Sequence, residues 1–180
     1  MLLQRDQCQF LMIDMQEKLV PAMHEREALV KNCRTLLEAA DHVGVPVLMS
    51  EQYPQGLGHT LPELKQAAGD IAGMAKMEFS CARDAAISAR LEENARGQIV
   101  LCGVEAHVCV LQTALDLHAS GKNVFVVLDA IASRRELSSR VAADRLTACG
   151  VHVVTSEMVV FEWARAADEP AFKPLRKLIL

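Results

Sequence analysis

Short apolar runs alternate along this chain with longer segments whose apolar residues recur at helical spacing. That alternation predicts βαβ units and a parallel sheet rather than an all-α or all-β domain. Residues 9–14 read as a buried first strand ending on an acid, and 45–50 as a second. Between them Leu29, Cys33, Leu36, Leu37, Ala40 and Val43 mark one face of a helix over 27–43, which Gly44 stops. Residues 52–59 are rich in turn formers and predict a loop beyond a strand end. A short helix over 61–68, a weak strand at 74–77 and a helix over 82–94 follow. The second half predicts a strand at 98–104, a helix over 107–120, a strand at 123–129, a helix over 136–149 and a last strand at 151–155. The tail carries Phe161, Trp163, Phe172 and Leu175 with little polar cover, which predicts packing on the body or on a neighbouring subunit.

Right-handed crossovers between about six parallel strands give an α/β, three-layer, doubly wound, Rossmann-like sheet of order 3-2-1-4-5-6. Ligands in such sheets bind beyond the carboxyl ends of the strands, where the order reverses. Strands one and four meet there, so topology alone is expected to bring Asp14 and Cys109 together.

Composition narrows the function classes. At 180 residues and 51% hydrophobic, with no repeat, low-complexity tract or linker, residues 1–180 are expected to form one domain with a sizeable core. A net charge of −4, with Lys and Arg scattered, predicts no nucleic-acid partner. No apolar run reaches the roughly 18 residues needed to span a bilayer, and the first residues lack the pattern of a secretory signal. A cytoplasmic protein without membrane partners is the expectation. The six cysteines include no C-x-x-C pair and fit reduced thiols. No G-x-G-x-x-G follows the first strand and no phosphate loop is present, so no dinucleotide or other cofactor is expected.

On the helix after the fourth strand, Val108, Val110, Leu111, Ala114, Leu115 and Leu117 share one side, and Cys109 lies with Gln112, Thr113 and Asp116 on the other. Core packing accounts for Cys33, Cys102 and Cys149 but fits Cys109 poorly. In the first turn of a helix a cysteine sees unpaired N–H groups and the positive end of the dipole, which favour thiolate. Cys109 is therefore expected to alkylate faster at neutral pH than the other cysteines. Taken alone, Asp14 reads as a strand-end acid capping a loop, and Lys76 as one solvated lysine among several.

Together these residues resemble the isochorismatase-like cysteine hydrolases. The resemblance rests on Leu11-Met12-Ile13-Asp14-Met15-Gln16, on Lys76 followed by Phe79-Ser80, and on Gly103-Val104-Glu105-Ala106-His107-Val108-Cys109. It is similar above all to the small isochorismatase-domain proteins, through residues 50–58 and Leu128-Asp129-Ala130-Ile131-Ala132-Ser133-Arg134. The resemblance implies Asp14 as general base, Cys109 as nucleophile and Lys76 as the cation that completes a triad. It also implies a cis bond between Val104 and Glu105, with the N–H groups of Glu105 and Cys109 forming an oxyanion hole. Gln16, Leu19, Tyr53, Phe79 and His107 are candidates for lining the substrate pocket, although a histidine at a helix start also serves as a cap.

Two departures bear on the chemistry. Where the nicotinamidase branch carries an Asp-x-His metal motif after its second strand, this chain reads Ser50-Glu51-Gln52-Tyr53, so no metal is expected. Hydrolysis of the isochorismate vinyl ether is associated in this fold with enzymes lacking the cysteine, so Cys109 implies acyl chemistry on a small-molecule amide, ureido or related C–N bond. The alternative is a non-enzymatic oligomeric or regulatory protein that keeps the fold and triad. Either way a homo-oligomer, dimer or larger, is expected.

Overall fold

A computed structural model describes residues 1–69 and 71–179. Six parallel strands form one sheet in the order β3-β2-β1-β4-β5-β6: β1 (Cys8–Ile13), β2 (Val47–Gln52), β3 (Met74–Lys76), β4 (Gln98–Val104), β5 (Asn123–Ala132) and β6 (His152–Val154). This is the doubly wound order expected from the alternation of short apolar runs and amphipathic segments. Side chains alternate across each strand, so β1 sends Phe10 and Met12 into one apolar layer and Leu11 and Ile13 into the other. The first layer is closed by α1 (Arg26–Val43), α7 (Ser156–Ala164) and α8 (Phe172–Ile179). The second is closed by α4 (Ala85–Glu93), α5 (Leu111–Ala119) and α6 (Glu136–Ala148). Gly44 ends α1 in the left-handed conformation, its N–H returning to the carbonyls of Ala40 and Asp41. No helix is long and apolar enough to cross a membrane among the described residues.

Two differences from the sequence expectation have physical causes, and the tail resolves an expectation left open. β2 starts and ends two residues later than its apolar run, because Ser50, Glu51 and Gln52 all pair with β3 although they are polar. The stretch beyond it is not wholly irregular, since α2 (Pro54–Leu57) forms a single turn with proline at its start; α3 (Pro62–Ala67) follows. The tail closes on its own chain: Trp163 is fully buried edge-on to Phe10, Leu175 is buried, and Phe161 packs on Phe172. Of the two expected covers the tail takes its own body, with Phe161 left partly exposed.

Register sets the carboxyl edge. Ile13 lies opposite Ser50 of β2 and Gly103 of β4, and Gln52 lies opposite Lys76 of β3. A Cβ at Gly103 would fall 2.0 Å from the Ile13 carbonyl oxygen, so only glycine permits this approach of β4 to β1.

Candidate active site

Asp14 is the first residue past β1, in the left-handed region (φ 52°) that Asp and Asn tolerate better than other side chains. Its N–H donates to Ser50 O, and the turn carries its carboxylate over the edge of the sheet. There Lys76 Nζ donates to Asp14 Oδ2 at 2.8 Å and Ser50 Oγ donates to Oδ1 at 2.7 Å. Both charged side chains are wholly buried. The ammonium also donates to Gln52 Oε1 at 2.7 Å and lies 3.3 and 3.2 Å from the carbonyl oxygens of Glu78 and Phe79. A buried ion pair persists only when its remaining donors and acceptors are met, and here they are.

Cys109 reaches this pair from β4. The Val104–Glu105 peptide bond is cis, and a π-helical turn, Ala106–Val110, leads into α5. The turn is wider than the α-helix expected from residue 107. Val108 and Val110 both donate to Glu105 O at the start of this turn. The face holding Cys109 and Thr113 turns inward: Cys109 is 6% exposed, and Thr113 Oγ1 accepts from the N–H of Cys81 at 2.9 Å.

The electrostatics correct the expectation of a resting thiolate. Burial pushes the Cys109 thiol well above its usual range, the Asp14 carboxylate pushes it further, and Lys76 only partly offsets them. Lys76 is held above the usual lysine range: burial, the largest single influence, lowers it, but the charge and hydrogen bond of Asp14, together with Cys81 and Cys109, outweigh burial. The resting site is therefore a thiol beside a carboxylate and an ammonium. At neutral pH, iodoacetamide is expected to modify the exposed Cys149 before Cys109, with the Cys109 rate climbing far into the alkaline range. Peptide mapping across a pH series checks this, and a Cys109 rate that levels off near neutrality would contradict it.

The other predicted residues separate. Gln16 is buried, and its amide accepts from Gln52 N (2.7 Å) and donates to Gln52 O (3.0 Å) and Gly58 O (2.7 Å), so it ties β2 to the following loop. Leu19 packs against the core. Tyr53 and Phe79 are exposed at the rim, where Tyr53 N donates to Lys76 O and Phe79 lends Lys76 its carbonyl. His107 Nδ1 lies 2.8 Å from Ser133 Oγ, and the ring lines a cleft with Arg134, Arg135 and Ser138. Glu51 serves the loop instead of facing the site: Oε1 accepts from Thr60 N and Oγ1, and Oε2 meets His59 Nδ1. No cluster of three or more His, Cys, Asp or Glu suited to a metal occurs among the described residues.

Ser50, Gln52 and Cys81 escaped the sequence reading. Cys81 is buried beside the pair, where burial and then the Asp14 charge push its thiol up to about 11. The signal for the first two was their spacing: residues two apart on a strand share a face, and β2 extends past its apolar run.

With this geometry in place, the comparisons with known proteins are specific. The isochorismatase domain family matches residues 8–158. Isochorismatase domain-containing protein 2 of Danio rerio is 36% identical over 169 residues, covering 94% of this chain and 85% of its own. The MAR1 ribonuclease of Caenorhabditis elegans superposes with a TM-score of 0.93 at 33% identity, over 99% of this chain and 92% of its own. The ycaC gene product of Escherichia coli, described as an octameric hydrolase of unknown specificity, shares the fold with a TM-score of 0.92 at 24% identity, over 98% and 90% of the two chains. A match of this extent, on a sheet whose switch point gathers an acid, a lysine and a cysteine, means that the chain belongs to the isochorismatase domain family.

Proposed function

We propose that this protein is a cysteine hydrolase that cleaves a small-molecule amide, ureido or related C–N bond through an acyl-thioester on Cys109. The observation that carries the reading is the buried Asp14–Lys76 pair with the buried Cys109 thiol beside it. As Sγ attacks the carbonyl carbon, Asp14 takes the thiol proton, and the negative charge passes from sulfur to the carbonyl oxygen. The N–H groups of Glu105 and Cys109, at the start of the turn that carries the thiol, are the donors we assign to that oxyanion. Collapse breaks the C–N bond, and the leaving amine takes the proton from Asp14. Water then enters, gives a proton to Asp14, attacks the thioester and releases the acid, and the departing sulfur recovers the proton. Lys76 stays charged throughout and limits the cost of negative charge on Asp14 or Cys109. Each developing charge meets a group of the chain, so the scheme needs no cofactor.

The Caenorhabditis elegans relative raises a second reading, cleavage of RNA. Against it stand the net charge of −4 and the depth of the thiol, neither of which favours the approach of a phosphate backbone. The deciding experiment incubates wild-type and Cys109→Ala protein with a panel of small amides and ureides, and separately with single-stranded RNA. Ammonia or amine released by the wild type alone supports the amidase reading. Equal background from both proteins supports the non-enzymatic one, and RNA cut only by the wild type supports the ribonuclease.

We also propose a homo-oligomer. Leu128, Leu137 and Val141, and separately Met158 and Phe161, are large apolar side chains left exposed, as surfaces that meet another copy usually are. The octameric ycaC product shows the fold assembling. A monomer by light scattering at micromolar concentration would overturn this.

A further inference from the structure

Residues 50 and 52 sit on one face of β2, and each spends its polar side chain on a different member of the buried pair. Ser50 Oγ donates to Asp14 Oδ1 at 2.7 Å, and Gln52 Oε1 accepts from Lys76 Nζ at 2.7 Å. Gln52 cannot rotate away freely, because its Nε2 donates to Met77 O at 2.8 Å while its backbone N–H donates to Gln16 Oε1 at 2.7 Å. Ser50 is fixed by register, opposite Ile13 and next to the turn that carries Asp14. All four side chains are buried, so no water can substitute at low cost for a lost partner. A hydroxyl and an amide carbonyl thus point inward from β2, one to each charge.

We infer that Ser50 and Gln52 are positioning residues that fix Asp14 as the carboxylate and Lys76 as the ammonium, and thereby set the pH at which Cys109 becomes a nucleophile. The inference rests on reading these three residues as the reacting group. A hydroxyl that donates to a carboxylate spreads its negative charge and makes it a weaker base. Without that donor, Asp14 holds fuller charge against the thiol and opposes its ionisation more strongly. An acceptor on the ammonium favours the charged lysine; without Gln52, the buried Lys76 gives up its proton more easily and the thiolate loses its counter-charge. Both losses act on Cys109 in the same direction, through different partners.

The test follows iodoacetamide modification of Cys109 across a pH series in wild type, Ser50→Ala, Ser50→Thr and Gln52→Met, with the exposed Cys149 as internal reference. In Ser50→Ala and Gln52→Met the Cys109 profile is expected to move to higher pH. At a fixed mildly alkaline pH that lowers its rate roughly three- to tenfold, the equivalent of about half to one pH unit. Cys149 should be unchanged, and Ser50→Thr, which keeps the hydroxyl, should follow the wild type. A purely structural role would not be rescued by threonine and would leave the Cys109 profile where it was. Profiles in folded Ser50→Ala and Gln52→Met that superimpose on the wild type would overturn the inference. Ser50→Ala deletes one oxygen and keeps the test decisive should Gln52→Met not fold. Alkylation needs no substrate, so failure of every amide would reject the proposed function without touching this result.

Discussion

Replacing Asp14 by Asn will move two properties of Cys109 in opposite directions. Turnover of whichever amide is cleaved is expected to fall by about 10²- to 10⁴-fold, the usual worth of a positioned general base. Alkylation of Cys109 at mildly alkaline pH is expected to rise several-fold. The carboxylate adds to burial in holding the thiol protonated, and its removal leaves Lys76 as the nearest charge, which favours thiolate. Asparagine suits the left-handed backbone at this position, and Gln52, Glu78 and Phe79 still supply acceptors to the ammonium, so the fold tolerates the change. Were Asp14 present only to hold the loop, both rates would fall together. Parallel measurement of turnover and of iodoacetamide modification in the one variant separates these outcomes.

Lys76→Met is expected to be the most destabilising single change at the site, by about 3–5 kcal/mol, because it strands a buried carboxylate with Ser50 as its remaining side-chain donor. In a chain of this size that corresponds to a fall in Tm of roughly 6–20 °C. Removing both charges in Asp14→Asn/Lys76→Met should recover part of the loss, since the cost lies in the unpaired charge rather than in the missing contact. The sign of the pH dependence follows from the raised lysine. Its contribution to wild-type stability is fully present below the ordinary lysine range and is lost only as pH rises through the raised value. The gap between wild type and Lys76→Met should therefore stay level through neutral pH and close in strongly alkaline solution. Urea denaturation at several pH values measures both effects, and a gap below about 1 kcal/mol at neutral pH, as for exposed pairs, would contradict a buried pair.

How far the sequence alone led depended on whether a feature was repeated or singular. Strand order was legible because the strands other than the weak β3 have an apolar run and amphipathic helices stand between most of them, and a doubly wound sheet then has one natural arrangement. Asp14 and Cys109 followed from that order, since they end or follow the two strands at the switch point. Ser50 and Gln52 did not, because polar residues inside a strand look like the start of a loop until a third strand is seen to pair with them. The state of the thiol was misjudged for a related reason. The helix start and the lysine are visible in sequence, whereas the burial that outweighs them and the carboxylate pressed against the sulfur are properties of the assembled site. For the tail the two covers stayed open in sequence, because apolar residues do not reveal whose surface covers them, and Trp163 meets Phe10 of its own chain.

The central claim is that Cys109 attacks the substrate and carries its acyl group. The most direct measurement is the intact mass of the protein, acid-quenched within a single turnover on an amide found to be cleaved, followed by peptide mapping. A transient mass increase equal to the acyl portion, located on Cys109 and absent from Cys109→Ala, is expected. Full turnover by Cys109→Ala, or an acyl group found on any other residue, would contradict it.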